Sequence, residues 1–146
     1  MAPVDPACRF CAVARGDADA HLVLDDTQVL AFLDHRPLFP GHCLVIPREH
    51  HETLSDLPAG LLEPLFGAVR LLGGAVVDAM AAEGSFMAVN NVVSQSVPHL
   101  HVHVVPRRRK DGLRGFFWPR TPYSDDDHAA EVCAAVRAAV DRIRAQ

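Results

Sequence analysis

Residues 98–105, Pro-His-Leu-His-Val-His-Val-Val, alternate imidazole with aliphatic side chains. Successive side chains of an extended chain point to opposite faces. Read as a strand, the stretch puts Leu100, Val102 and Val104 on one face and His99, His101 and His103 on the other. The aliphatic face needs only a core to cover it. The imidazole face needs more, because each buried ring has two nitrogens to satisfy. Three such rings in strict alternation point to chemistry rather than to packing. Two chemistries suit them: a three-histidine metal site, and attack by one neutral imidazole on an electrophile while its neighbours orient it.

The rest of the chain supplies a sheet for that strand. His21–Leu24 and Val29–Leu33 read as a hairpin around Asp25-Asp26-Thr27. A loop punctuated by Pro37, Pro40 and Gly41 leads to a third strand, Cys43–Ile46, which Pro47 ends. Ser55 is a candidate cap, with Pro58 in a first turn. Leu65, Val69, Leu72 and Val76 recur at helical spacing and predict a helix over about 63–82. Gly67, Gly73 and Gly74 weaken that helix unless something packs very close to it. Residues 86–90 and 100–105 read as the fourth and fifth strands. A last helix, about 127–144, is expected to bury Val132, Val136, Val140 and Ile143. Short links between strands favour an antiparallel sheet of about five strands with helices packed on it, an α+β fold in one domain spanning 1–146.

Composition narrows the functions. The chain has 146 residues and a net charge of -4, which argues against a general nucleic-acid partner. Arg107-Arg108-Arg109-Lys110 is either a solvated strand exit or an anion-attracting rim. Glu63, Pro64, Arg70 and Asp78 interrupt the longest apolar stretch, so no membrane span is expected, and no signal peptide is visible. The expected location is cytoplasmic, with four reduced cysteines. Cys8-x-x-Cys11 then reads as a metal knuckle, and Cys43 and Cys133 as buried thiols.

The segment Gln95-Ser96-Val97-Pro98-His99-Leu100-His101-Val102-His103-Val104-Val105 resembles the signature of the histidine-triad (HIT) family. Upstream, AFLDHRPLFPGHCLVIPREH, residues 31–50, is similar to the family's second conserved stretch, and the resemblance covers residues 8 to about 106. It implies the HIT fold and a protein that binds nucleotides and cuts them at the α-phosphate through a nucleotidyl-histidine intermediate. His101 would be the nucleophile. His103 would orient the phosphate and stabilise its charge, and Ser96 would assist at the leaving group. Gln95 and Asn90, the latter preferred over Asn91, would contact the phosphate side. Asp34 and His35 would hold the ribose, and His42 would line the nucleotide pocket. Purine nucleotides are the substrates implied. An ionised Asp34 suits a ribose diol on chemical grounds too, since it accepts hydrogen bonds.

The same resemblance, shared with galactose-1-phosphate uridylyltransferases, implies a structural zinc on Cys8, Cys11, His50 and His99. His51 is the alternative to His50, and the spacing from Pro47 favours His50. A homodimer is implied, paired through the long helix and an adjacent strand. The chain departs from the family at Asn90-Asn91-Val92-Val93-Ser94-Gln95, which is shorter and has Val92 and Ser94 where glycines are expected. Phe116, Phe117 and Trp118 are read as core, with a part in shaping the pocket as the alternative. Two rival functions remain: a nucleotide-binding protein without catalysis, and a metalloenzyme using His99, His101 and His103 together as ligands.

Overall fold

The computed structural model describes residues 3–114 and 120–146. The chain forms two compact units, Met1–Asp111 and Gly112–Gln146. In the first, helix α1 (Arg9–Arg15) precedes strands β1 (Leu22–Asp25), β2 (Val29–Leu33) and β3 (Cys43–Pro47). Two short 3-10 turns, Leu54–Asp56 and Ala59–Leu61, lead into α2 (Leu62–Ala79), followed by β4 (Gly84–Val89) and β5 (Val102–Arg107). All strand pairs are antiparallel, in the order β1-β2-β3-β5-β4. This is the five-stranded antiparallel α+β architecture expected from the short links between strands.

Strands β2 and β3 split their side chains between two cores. Val29, Ala31, Cys43, Val45, Leu100, Val102 and Val104 join one face of the sheet to Leu65, Ala68, Val69, Leu72 and Val76 of α2. Leu30, Phe32, Leu44 and Ile46 meet Cys8, Phe10, Cys11 and Val13 on the other. Burying each aliphatic side chain stabilises by about 1.5–3 kcal/mol, so these two layers hold the sheet between them. By length and composition alone, Ala59–Ala79 could cross a bilayer. Its packing gives a different reason for that composition: one side of α2 is the lid of the first core.

Several expected details shift. Thr53, not Ser55, starts the first 3-10 turn, its N–H and Oγ both bonded to Asp56 Oδ2 at 3.1 and 2.7 Å. Of the three α2 glycines, Gly73 has a close neighbour: an added Cβ would lie 2.3 Å from Met87 Cε. Gly67 and Gly74 face open space. Strand β5 begins at Val102 rather than Leu100, because the Leu100 N–H is bonded to His51 O (2.7 Å) instead of to a neighbouring strand. The alternation of faces nonetheless runs through His99 and His101 unbroken.

The basic run is a strand exit. Arg107 pairs with Asp111, Arg108 bonds the Met80 carbonyl at the end of α2, and Arg109 pairs with Glu83. In the second unit, α3 (Asp126–Arg144) is capped by Asp125, whose Oδ1 accepts the His128 N–H at 2.7 Å. It has no buried residue. The expected buried side is exposed at Val136 (58%), Val140 (40%) and Ile143 (68%), with Val132 half-buried. Cys133 is exposed as well, whereas Cys43 is buried as expected. The period of the apolar residues fixed a helix face but not a cover for it. Phe116, Phe117 and Trp118 lie outside the described residues.

Candidate active site and metal centre

His99, His101 and His103 point into the second face of the sheet, where α1 brings its own residues. His99 is fully buried, and His101 nearly so. The ring of Phe10 stands edge-on to both, with centroids 6.0 Å from His99 and 5.2 Å from His101. Sequence reasoning passed over Phe10, although an aromatic residue between two candidate ligand cysteines was a visible signal.

Backbone groups fix the tautomers of His99, His101 and His42, and His42 fixes that of His103. The Nε2–H of His99 donates to Pro47 O (2.8 Å), which leaves the Nδ1 lone pair facing Cys8 Sγ at 3.5 Å and Cys11 Sγ at 3.6 Å. The Nδ1–H of His101 donates to His99 O (2.7 Å), so its lone pair is on Nε2. No described residue bonds that nitrogen. His42 Nδ1 accepts the Leu38 N–H (3.0 Å), so its proton is on Nε2, which donates to His103 Nδ1 at 2.9 Å. His103 therefore carries its proton on Nε2. Gly41 helps set His42 in place. Its φ of 96° suits glycine, and a Cβ there would stand 2.7 Å from Met80 Cγ.

Burial dominates the titration of this face. Desolvation lowers His99 to about 4, outweighing its bond to Pro47 O. Desolvation also lowers His103 to about 4, helped by the nearby His101 and His42 imidazoles. His42 is lowered by burial too, against the opposing pull of Asp34. His99, His103 and His42 are thus neutral near pH 7, as the tautomer chain requires.

Cys8, Cys11, His50 and His99 bring four ligand atoms within 4.8 Å of one another. Cys11 Sγ lies 3.3 Å from His50 Nδ1. Zinc bonds of about 2.3 Å to sulfur and 2.05 Å to nitrogen, set tetrahedrally, put S and N about 3.5 Å apart. The three S···N distances here, 3.3–3.6 Å, fit that edge. The donor set of two thiols and two imidazoles also suits zinc, and Pro47 O supplies the outer partner that orients a ligating histidine. His51 turns instead to Glu49, with Nε2 3.1 Å from Oε2.

A second cluster, Asp34, His42 and His103, is as tight, yet it is a poor metal site. His42 could offer Nε2 to a metal only as an imidazolate, because Leu38 N–H already occupies Nδ1. The three triad rings do not share one donor cluster among the described residues. Each is committed to a different partner, which removes the geometric basis for a three-histidine tripod.

The remaining candidates are spread around this face. Asp34 Oδ1 accepts the Arg36 N–H (2.9 Å), and Oδ2 lies 3.6 Å from His42 Nε2. His35 is exposed, its Nδ1 3.9 Å from Asp34 Oδ1. The Gln95 amide is spent on the chain itself: Oε1 accepts the Val92 N–H (2.9 Å) and Nε2 donates to Glu52 O (2.6 Å). Asn91 Oδ1 accepts the Leu54 N–H (2.8 Å), while Asn90 is half-buried at the end of β4. Ser96 is exposed three residues before His99.

A family model described as the HIT domain matches residues 15–110. The adenylylsulfatase HINT3 of Arabidopsis thaliana is 33% identical over 108 residues, 73% of this chain; the chain spans only 55% of that relative. The adenosine 5'-monophosphoramidase hnt1 of Schizosaccharomyces pombe is 30% identical, over 83% of this chain and 90% of its own length. Among solved structures, SMU.412c from Streptococcus mutans superposes with a TM-score of 0.86 at 30% identity, covering 96% of this chain and 89% of its own. A zinc-bound histidine triad family protein from Mycobacterium smegmatis superposes with a TM-score of 0.70 at 34% identity, covering 94% and 97%.

Proposed function

This chain belongs to the HIT family, and from that premise we propose that it is a nucleotide hydrolase in which His101 Nε2 attacks the α-phosphorus of a nucleoside phosphoramidate or related nucleotide. The observation that carries this reading is the lone pair on His101 Nε2: Nδ1–H is held by His99 O, and nothing described competes for Nε2. Attack forms a P–Nε2 bond and breaks the bond from phosphorus to the leaving group. Ser96 Oγ passes a proton to the departing nitrogen or oxygen. His103 Nε2–H donates to a phosphate oxygen, its tautomer set by His42. The imidazolium formed on His101 keeps Nδ1–H on the His99 carbonyl. Water then breaks the P–Nε2 bond, releases the nucleoside monophosphate and returns the proton. Asp34 and His35 hold the ribose, His42 lines the pocket, and Asn90 meets the phosphate side. Gln95 acts by holding the loop beside that phosphate. A purine base is the natural guest by family habit, and the relatives named for adenylylsulfate and adenosine monophosphoramidate support it.

Zinc on Cys8, Cys11, His50 and His99 would be structural, since all four corners are filled by protein. It would fix α1 and His99, and through His99 O the nucleophile. None of the four cysteines is in a disulfide, which is in keeping with a reducing, cytoplasmic setting. Leu62 and Phe66 of α2 and Met87 of β4 are exposed apolar residues, the surface through which we expect two copies to pair. The test is hydrolysis of adenosine 5'-phosphoramidate, a dinucleoside polyphosphate and adenylylsulfate by the wild-type protein and His101→Ala. Activity on at least one, lost in the variant, is the expected result; activity on none would refute the hydrolase reading and leave a nucleotide-binding protein.

A further inference from the structure

The chain leaving β3, Pro47-Arg48-Glu49-His50, serves the metal centre at both of its ends. Pro47 O accepts the Nε2–H of His99 (2.8 Å), and His50 Nδ1 lies beside Cys11 Sγ. Arg48 stands between them and is no ligand. Its side chain is nonetheless committed at three points. Nε donates to Asp26 O (2.7 Å), Nη1 donates to Ala14 O (2.9 Å), and Nη2 pairs with the Asp25 carboxylate. Its own N–H donates to Gln28 O (3.0 Å). An exposed ion pair alone would contribute little. Here two of the three acceptors are backbone carbonyls from different elements, and the planar guanidinium spans them in one fixed geometry.

The bond to Ala14 matters because of what α1 carries. Both candidate thiols belong to it: Cys11 lies within the helix, and Cys8 caps its start, with Sγ accepting the Cys11 N–H (3.4 Å). At seven residues, α1 is too short to hold its own shape. Phe10 and Val13 pack it onto Leu30, Phe32, Leu44 and Ile46. Such contacts are not directional and leave the helix free to slide along the sheet. Its last carbonyls lack partners within the helix. Gly16 N–H takes Val13 O and Asp17 N–H takes Ala12 O, while Arg48 takes Ala14 O and sets a positive charge at the negative end of the helix.

We propose that Arg48 is a positioning residue for the metal: its guanidinium fixes α1 along the sheet and so holds the Cys8 and Cys11 thiols at zinc-binding distance from His50 and His99. The proposal rests on the zinc reading above. Losing this tie leaves all four ligands in place and makes their assembly harder, so it weakens zinc binding without changing the donor set.

The experiment is competition for zinc between the full-length protein and a chromogenic chelator, read beside the thiolate-to-cobalt absorption of the cobalt(II) form. Wild type is compared with Arg48→Met, Arg48→Lys, Asp25→Ala and Arg107→Met. The last breaks the ion pair with Asp111 at the end of β5 away from His101. Arg48→Met should bind zinc about tenfold more weakly. Arg48→Lys keeps the charge but cannot span both carbonyls, and should recover little of that loss. Asp25→Ala should show a smaller loss, and Arg107→Met should melt lower with its zinc affinity unchanged. Wild-type affinity in Arg48→Met, full recovery in Arg48→Lys, or an equal loss in Arg107→Met overturns the proposal. Should Arg48→Met fail to fold, Asp25→Ala decides: zinc affinity equal to that of Arg107→Met overturns it. A wild-type protein that takes up neither zinc nor cobalt would instead condemn the zinc reading itself.

Discussion

The two ends of the triad are built from similar parts and put to different uses. At one end His99 meets two thiols and His50; at the other His103 meets His42 and Asp34. Burial lowers both triad rings to about 4, so charge does not separate them. The backbone does. Pro47 O takes the Nε2 proton of His99 and turns a lone pair toward sulfur, whereas Leu38 N–H takes a lone pair of His42 and leaves a proton to pass along. One cluster is thereby prepared for a metal and the other for a hydrogen-bonded chain. His101 lies between them, held by the carbonyl of the first and edge-on to the ring of the second, with centroids 5.1 Å apart.

The contrast can be broken at its middle. His101→Ala should lose at least about a thousandfold in turnover while keeping its fold and metal content. If metal content falls with it, the two clusters are less separate than their hydrogen bonds indicate.

Each end can then be removed alone. Cys8→Ala should lose one bound zinc per chain, measured by plasma emission spectrometry, and melt lower by on the order of 10 °C. Asp34→Asn should keep its zinc and its melting temperature within a few degrees, and lose activity instead. Zinc retained in Cys8→Ala and lost in Asp34→Asn would reverse the assignment of the two clusters.

A smaller effect sharpens the proton-chain end. Replacing His42 by Asn should lower kcat about ten- to a hundredfold, because His103 is no longer held in the tautomer that donates from Nε2. A change in KM alone would mean that His42 only lines the pocket.

The smallest effect is on stability. His103 takes up a proton at about 4 in the folded chain, against 6.5 for an ordinary imidazole. Between those values the unfolded chain binds a proton that the folded chain does not, so stability is fully present above about pH 6.5 and declines as pH falls toward about 4. Thermal melts of His103→Gln over this window should decline less steeply than wild type. Parallel curves would show that another group carries the dependence.

The alternation in residues 98–105 was enough to divide Leu100, Val102 and Val104 from the three histidines, since a period of two leaves no other arrangement in a sheet. The gathering of Cys8, Cys11, His50 and His99 was also accessible, through the family resemblance. The pairing of His42 with His103 was not, because it depends on which nitrogen Leu38 N–H occupies, and that donor is a backbone group. Val92 was visible as a departure from glycine, but its left-handed φ and inward-facing amide needed coordinates. At α3 the pattern misled for another reason: Val136 and Ile143 mark an apolar face, and an apolar face does not say what covers it.

The central claim is that His101 Nε2 forms a covalent bond to phosphorus. It is tested most directly by mixing the protein with adenosine 5'-phosphoramidate, quenching in base within the first turnover, and mapping the modified peptide by mass spectrometry. The account predicts an adenylyl adduct on His101, absent from His101→Ala and still formed by Asp34→Asn at a reduced rate. An adduct on His103 or His99, or full turnover by His101→Ala, would contradict it.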